Sequence, residues 1–150
     1  MRSFSLLDNS RKNLIVEAMV ITFFVRLGFP LIGVGRTQAL LRRWAVARSD
    51  NRPPDATSVI RELRAAQRTV KRHCGVRGTC LVTSMSLWAM LLRRNIKTEL
   101  RVGMRKRDGK IEGHAWLELA GIPINETPEV CGAYEPYPKP VTFDRVGGTL

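Results

Sequence analysis

The sequence predicts an α+β domain, because the spacing of its apolar residues changes from helical to strand-like along the chain. Through residue 94, apolar residues recur mainly every three or four positions, as on one face of a helix. From Leu100 they alternate with polar residues, and Asp108-Gly109 adds a strong hairpin signal. We therefore expect a helical N-terminal half, then a core helix, then a three-stranded antiparallel meander.

The composition sets the class of protein. The chain has 150 residues, of which 44% are hydrophobic. This content suits one domain with a modest core and is too high for a wholly disordered chain. Three cysteines without a CxxC pair argue against a disulfide-stabilised secreted module and against a structural zinc site. We expect a cytoplasmic protein that needs no metal.

The charge is strongly basic. The formal net charge is +12, and most of the excess lies in residues 1–79. A field of this sign attracts nucleic acid, anionic lipid or acidic peptide, and the sign alone does not choose among them. Aromatic residues make up only 7% of the chain and no nucleic-acid-binding motif is present, so we do not expect nucleic acid as a partner.

The apolar segment at residues 14–34 is long enough to be tested as a membrane span. Glu17 and Arg26 interrupt it, and the Gly-Phe-Pro tripeptide at residues 28–30 predicts a break in the helix. The uncharged pieces that remain are too short to cross a bilayer. We expect a buried or interfacial helix without membrane association, and a signal peptide is disfavoured because charged residues precede the apolar stretch.

Turn-forming residues at 49–55 mark a predicted linker. The predicted division is a basic helical extension, residues 1–56, followed by the core of the protein, residues 57–150. Residues 36–48 and 57–72 each show an amphipathic helical pattern. The basic, partly apolar extension is a candidate docking surface for a partner.

The helix predicted after Cys80, at residues 81–94, has almost no polar face, which indicates a buried core helix. Beyond it, the last strand of the meander is predicted at residues 122–126. Pro123 cannot donate a hydrogen bond to a neighbouring strand, so this strand should lie at an edge. The proline-rich tail from Thr127 is predicted to be an extended cover or a loose end.

Cys80 is the candidate nucleophile. It stands at the first turn of the predicted core helix, where unpaired backbone amides and the positive end of the helix dipole favour a thiolate. A small buried hydrophobic residue is the competing interpretation, since most free cysteines are of that kind. Cys74 and Cys131 lack this context.

His114, in the middle strand of the meander, is the candidate general base. If residues 119–121 form a three-residue loop, His114 lies opposite Glu126, which could orient the imidazole. A two-residue loop at residues 120–121 instead puts Asn125 on the face of the histidine. Both registers supply an orienting group, and we prefer Glu126.

Three blocks together resemble the lasso peptide maturation protease: TCLV at residues 79–82, LRVGMRK at residues 100–106 and HAWLE at residues 114–118. That family comprises transglutaminase-like cysteine peptidases that remove the leader from a ribosomally made precursor. The resemblance covers about residues 57–126 and implies an α+β, papain/transglutaminase-like fold.

By position, the family's nucleophile falls on Cys80 and its base on His114. The triad acid, usually aspartate in the family, falls on Glu126, with Asn125 as the alternative third member. The resemblance implies a thioester intermediate and no cofactor for the cleavage; it does not give any nucleotide requirement.

The resemblance also implies partners. Some members carry a winged-helix recognition unit for the leader, but residues 1–56 show helical periodicity without strand pairs. We therefore expect a separate leader-binding protein, a precursor peptide as substrate, and a macrolactam-forming cyclase that acts next. Two other functions remain open: a transglutaminase-like acyl transferase, and a non-enzymatic basic module that binds nucleic acid or membrane.

Overall fold

Helices and one antiparallel sheet make up the described part of the chain, which in this computed structural model comprises residues 2–47, 55–73 and 79–141. The helices are α1 (Arg2–Ile32), α2 (Val34–Ala47), α3 (Ala56–His73), α4 (Cys80–Arg93) and α5 (Pro128–Gly132). The strands are β1 (Glu99–Arg107), β2 (Lys110–Leu119), β3 (Ile122–Pro123) and β4 (Glu135–Pro136). The predicted α+β class is confirmed.

Helix α4 is the centre of the fold, as its apolar sequence predicts. Met85, Leu87, Met90 and Leu91 are all 0% exposed. Helices α1, α2 and α3 and the β1–β2 hairpin all pack on it. A helix that is apolar on nearly every side is stable only when it is surrounded in this way.

Helix α1 is continuous where the sequence predicts a break. It runs through Gly28 and Pro30 and ends at Ile32, so the predicted break at residues 28–30 is wrong. Pro30 lies in the last turn, where the loss of one N–H disturbs little of the helix. Gly28 lets α2 approach closely, because a Cβ there would lie 2.6 Å from the Thr37 hydroxyl oxygen. The chain turns instead at Gly33, whose φ is +84°.

One side of α1 belongs to the hydrophobic core, and the other does not. Ala18 and Val25 are fully buried, whereas Val20 and Phe23 are 58% and 55% exposed. Of the helices in the described residues, only α1, over Asn9–Ile32, is long and apolar enough to span a membrane by length and composition.

Glu17 ties α1 to the C-terminal end of α4. Its carboxylate accepts hydrogen bonds from Arg93 Nη1 at 2.8 Å and from Arg94 Nη2 at 2.7 Å. Burial of Glu17 opposes ionisation, but the hydrogen bonds and charges of Arg94 and Arg93 outweigh it and hold the pKa of Glu17 below its ordinary value.

The sheet has the strand order β3-β2-β1-β4, so the predicted meander is present and a fourth strand extends it. Arg107 pairs with Lys110 around the predicted Asp108-Gly109 turn, where both turn residues have positive φ. Strand β3 lies at the edge, as Pro123 predicts, but it is two residues long instead of five. The described part of the proline-rich tail forms α5 and β4, and β4 pairs with β1 at the edge of the sheet.

The predicted division at residue 56 stays a prediction. Ala18, Val25 and Leu41 from the N-terminal segment join Leu63 and Met85 in a single hydrophobic cluster. Residues 49–54 of the predicted linker lie outside the described residues, and so do residues 74–78, which include Cys74.

Replacement of Glu17 by Gln should lower the free energy of unfolding at pH 7 by about 2 kcal/mol, because two half-buried guanidinium groups lose their carboxylate. The pKa of Glu17 is lowered by folding, so its contribution is full above its ordinary value of 4.5 and is lost as the pH falls through the lower value. Urea titrations at pH 7 and pH 3 should show a difference between wild type and variant that shrinks in acid.

Asp108→Asn is the matched control. It removes the carboxylate of the exposed Arg107–Asp108 pair and keeps a residue that tolerates positive φ. We expect a change below about 0.5 kcal/mol at both pH values. Equal effects of the two substitutions would contradict a special role for Glu17.

Candidate active site

Cys80 is the first residue of α4, where the sequence analysis puts the nucleophile. Thr79 caps the helix from an extended conformation, and its side-chain oxygen accepts a bond from the Val82 N–H at 3.4 Å. The Thr83 N–H bonds the Thr79 carbonyl at 3.1 Å. Cys80 is a free, partly exposed thiol.

The start of α4 presents two adjacent backbone donors. Within the described residues, the N–H groups of Cys80 and Leu81 have no hydrogen-bond acceptor, since Val82 and Thr83 use the available oxygens of Thr79. Two adjacent N–H groups at the positive end of a helix can bind an oxyanion. Such donors are predicted here from the position of Cys80 at the first turn of the helix.

The β2–β3 connection has the two-residue register. Leu119 pairs with Ile122 and Glu118 with Pro123, so the preferred three-residue loop is wrong. Ala120 and Gly121 have φ of 51° and 79°, as in a type I′ turn. A non-glycine residue with positive φ is uncommon, so the sequence favoured the loop that placed only Gly121 in this conformation.

Asn125 ends the pairing of β3 with β2. The Ile124 N–H still donates to the Leu117 carbonyl at 2.9 Å. The Leu117 N–H donates to the side-chain oxygen of Asn125 at 2.7 Å instead of to a backbone carbonyl. Asn125 Nδ2 also donates to Ser84 Oγ at 2.9 Å. Asn125 therefore joins the sheet to α4, and these bonds hold both ends of its amide away from the histidine.

Glu126 lies beside His114. Because the chain leaves the sheet at Asn125, the two-residue register no longer dictates the direction of the next side chain. His114 Nε2 is 3.3 Å from Glu126 Oε1, close enough for an ion pair, but the approach is too oblique for a hydrogen bond. The preferred acid and the base are thus brought together, although by a different backbone path.

Two aromatic rings hold the imidazole of His114. Its ring stacks on Tyr134 with centroids 5.1 Å apart and on Trp116 with centroids 6.1 Å apart. Gly103, which pairs with His114, makes room for them, since a Cβ there would lie 2.9 Å from Tyr134 Cβ and 3.0 Å from the Trp116 ring. Arg105 covers Tyr134 at 4.5 Å from the ring centroid.

Tyr134 is a residue of the site that the sequence did not predict. It lies in the proline-rich tail and reaches the histidine only because β4 pairs with β1 across Gly103. The one local signal is Gly103 itself, a glycine in the middle of a strand, which often marks close approach of other groups.

Cys131 lies near the site in an environment that opposes ionisation. It is buried on α5. Burial and the negative charges of Glu126 and Glu118 raise the pKa of the Cys131 thiol above its ordinary value. A thiol in such surroundings is a poor nucleophile.

Ser84 connects the cysteine end of α4 to the histidine strand. It lies one turn after Cys80 on the same side of the helix. Its hydroxyl donates to the carbonyl of Ala115, the neighbour of His114, at 3.0 Å. Among the described residues, no hydrogen bond joins Cys80 Sγ to His114. In the described part of the chain there is also no cluster of His, Cys, Asp and Glu that could hold a metal ion.

The comparison with family models gives one result, which fits this arrangement. The model of the transglutaminase-like superfamily matches residues 23–138, which is most of the chain. The chain belongs to the transglutaminase-like superfamily. Its members are typically cysteine peptidases or acyltransferases. No curated protein and no solved structure matches the sequence significantly.

The superfamily match extends beyond the sequence blocks described above. It begins within α1 and ends after β4, and so includes Cys80, His114, Glu126 and Tyr134. Much of the helical N-terminal part is therefore inside the transglutaminase-like region.

Asn125→Ala should lower the free energy of unfolding by about 2 kcal/mol, because it leaves the partly buried Leu117 N–H without an acceptor and removes the donor to Ser84 Oγ. Thermal and urea unfolding measure the loss. Asn9→Ala, on the exposed part of α1, is the control and should change stability by less than about 0.5 kcal/mol. Similar stabilities of the two variants would contradict the bridging role of Asn125.

Iodoacetamide near neutral pH should modify Cys80 at least about tenfold faster than Cys131, because Cys80 is partly exposed, whereas Cys131 is buried and its pKa is raised. Peptide mapping by mass spectrometry separates the two sites. Urea-unfolded protein is the control, in which the two rates should converge. Faster labelling of Cys131 in the folded protein would contradict the assignment.

Proposed function

We propose that this transglutaminase-like protein is a cysteine peptidase that removes the leader from a ribosomally made lasso peptide precursor, with Cys80, His114 and Glu126 as its triad. The observation that carries the catalytic proposal is the 3.3 Å contact between His114 Nε2 and Glu126 Oε1. His114 lies on β2, which a hydrogen bond from Ser84 joins to α4, the helix that begins with Cys80. The leader-peptidase assignment depends on the resemblance of the three sequence blocks.

The reaction proceeds through a thioester. The thiolate of Cys80 attacks the scissile carbonyl, and His114 takes the thiol proton and returns it to the leaving amine. The tetrahedral oxyanion lies at the start of α4, where the N–H groups of Cys80 and Leu81 have no acceptor among the described residues. Water then hydrolyses the thioester with His114 as base, and no cofactor takes part.

Glu126 orients His114 and stabilises the imidazolium that forms in the reaction. Its side chain is 32% exposed, so it can rotate from the oblique approach into a hydrogen bond when substrate binds. The stacked rings of Tyr134 and Trp116 restrict the imidazole to a small range of orientations.

We propose that a separate leader-binding protein delivers the precursor in the cytoplasm and that a cyclase then closes the ring. The exposed apolar side of α1 is the candidate docking surface for the leader-binding protein. It is a row of side chains at helical spacing: Val16, Met19, Val20, Phe23, Phe24, Leu27 and Leu31. We expect no stable association with membrane or nucleic acid.

Incubation of the protein with the leader-binding protein and precursor should release the leader, as seen by mass spectrometry. Cys80→Ala and His114→Ala should reduce the rate by at least about 10³-fold, because each removes a reacting group, and Glu126→Gln by roughly 10²-fold. Cys131→Ala is the matched control and should retain release.

Equal release by wild type and Cys80→Ala would overturn the thiol mechanism. The reaction is repeated with a small primary amine added. Transfer of the peptide acyl group to that amine, in place of hydrolysis, would overturn the peptidase assignment in favour of an acyl transferase.

A further inference from the structure

Helix α3 carries a row of cations on its exposed side. Arg61, Arg64, Arg68 and Lys71 follow one another at spacings of three and four, so they lie along one side of the helix. Arg61 donates to Ser58 Oγ at 3.2 Å and lies near Asp55. In the described part of the chain, Arg64, Arg68 and Lys71 form no ion pair.

This row borders a groove that leads to the candidate active site. Two adjoining cavities share Arg64 and Arg68 on their walls. One is floored by aliphatic side chains of α3 and the β2–β3 region: Ile60, Leu119, Ile122 and Ile124. The other extends past Lys71 to Asn125, Glu126 and Thr83, the last of which lies in the first turn of α4.

We propose that the groove binds an acidic, extended segment of the peptide substrate and so guides the scissile bond toward Cys80. This inference deepens the proposed peptidase function and depends on it for the identity of the substrate. The guanidinium groups of Arg64 and Arg68 bind carboxylates of the peptide. In an extended peptide apolar side chains can alternate with the acidic ones, and the aliphatic floor binds those apolar side chains.

The charged side chains of the groove determine where the acidic residues of the bound peptide lie. Glu126 lines one cavity and repels carboxylates, so the acidic residues of the peptide bind in the other cavity, which is lined by Arg61, away from the scissile bond. Arg61 and Arg68 are separated by about 10 Å along the helix, which equals about three residues of extended peptide.

Nucleic acid fits this groove less well than peptide does. The described side chains that line the two cavities include no aromatic ring on which a base could stack. A concave groove with an aliphatic floor also differs from the flat basic surface that binds a lipid bilayer.

The test uses the full-length Cys80→Ala protein, so that binding is measured without cleavage. The probe is a fluorescein-labelled peptide of alternating Glu and Leu, compared with the same peptide carrying Gln in place of Glu. Arg64→Gln together with Arg68→Gln removes two groove cations. Arg36→Gln together with Arg43→Gln removes two exposed cations of α2 and gives the same net charge.

Fluorescence anisotropy should show that the groove substitutions weaken binding of the acidic peptide roughly tenfold, while the α2 substitutions change it by less than about twofold. The Gln peptide should bind weakly to all forms. Arg64→Lys together with Arg68→Lys should retain most of the wild-type affinity, which separates loss of charge from loss of folding.

Equal weakening by the two pairs of substitutions would overturn the proposal, because binding would then follow net charge alone. No weakening by the groove pair would overturn it as well. So would stronger, groove-dependent binding of an oligothymidylate of equal charge. If the groove binds the acidic peptide as expected but wild-type protein releases no leader, the peptidase assignment fails while the binding site remains.

Discussion

The position of α4 against the edge of β2 determines the rest of the site, and the buried hydroxyl of Ser84 fixes it. Ser84 is 0% exposed, donates to the Ala115 carbonyl and accepts from Asn125. A buried hydroxyl without partners costs about 1 to 3 kcal/mol, so these bonds select one rotation of the helix. A helix rotated by one residue would turn Ser84, and Cys80 one turn before it, away from β2.

Asn125 and Glu126 have separate tasks that the sequence could not distinguish. The three-residue and two-residue loops predicted between β2 and β3 made Asn125 and Glu126 alternatives for orienting His114. Both predictions assumed that β3 continues to residue 126. In the structure, Asn125 replaces a backbone carbonyl in the ladder, and the strand ends. Glu126 is then free of strand alternation and approaches His114. The amide supports the sheet, and the carboxylate contacts the base.

Sequence patterns correctly predicted those elements that are determined by interactions between residues close in sequence. The apolar sequence of α4 and the Asp108-Gly109 turn are decided by residues close in sequence, and both are as predicted. The continuity of α1 through Gly28 and the stacking of Tyr134 on His114 depend on contacts with distant segments. The sequence around residue 28 or residue 134 does not show which distant segment that residue will contact. Glu126 was predicted as the acid from a three-residue β2–β3 loop, whereas the structure has a two-residue loop.

The two ends of α4 differ in the partners of their terminal backbone groups. At the C-terminal end, Arg94 donates to the Met90 carbonyl at 2.9 Å and also bonds Glu17, so the negative end of the helix is neutralised within the protein. At the N-terminal end, the N–H groups of Cys80 and Leu81 have no acceptor among the described residues. An unneutralised positive end stabilises both a thiolate and the oxyanion that follows it. The carboxylates near Cys131 oppose ionisation of that thiol, so of the two described cysteines Cys80 suits the proposed role of nucleophile better.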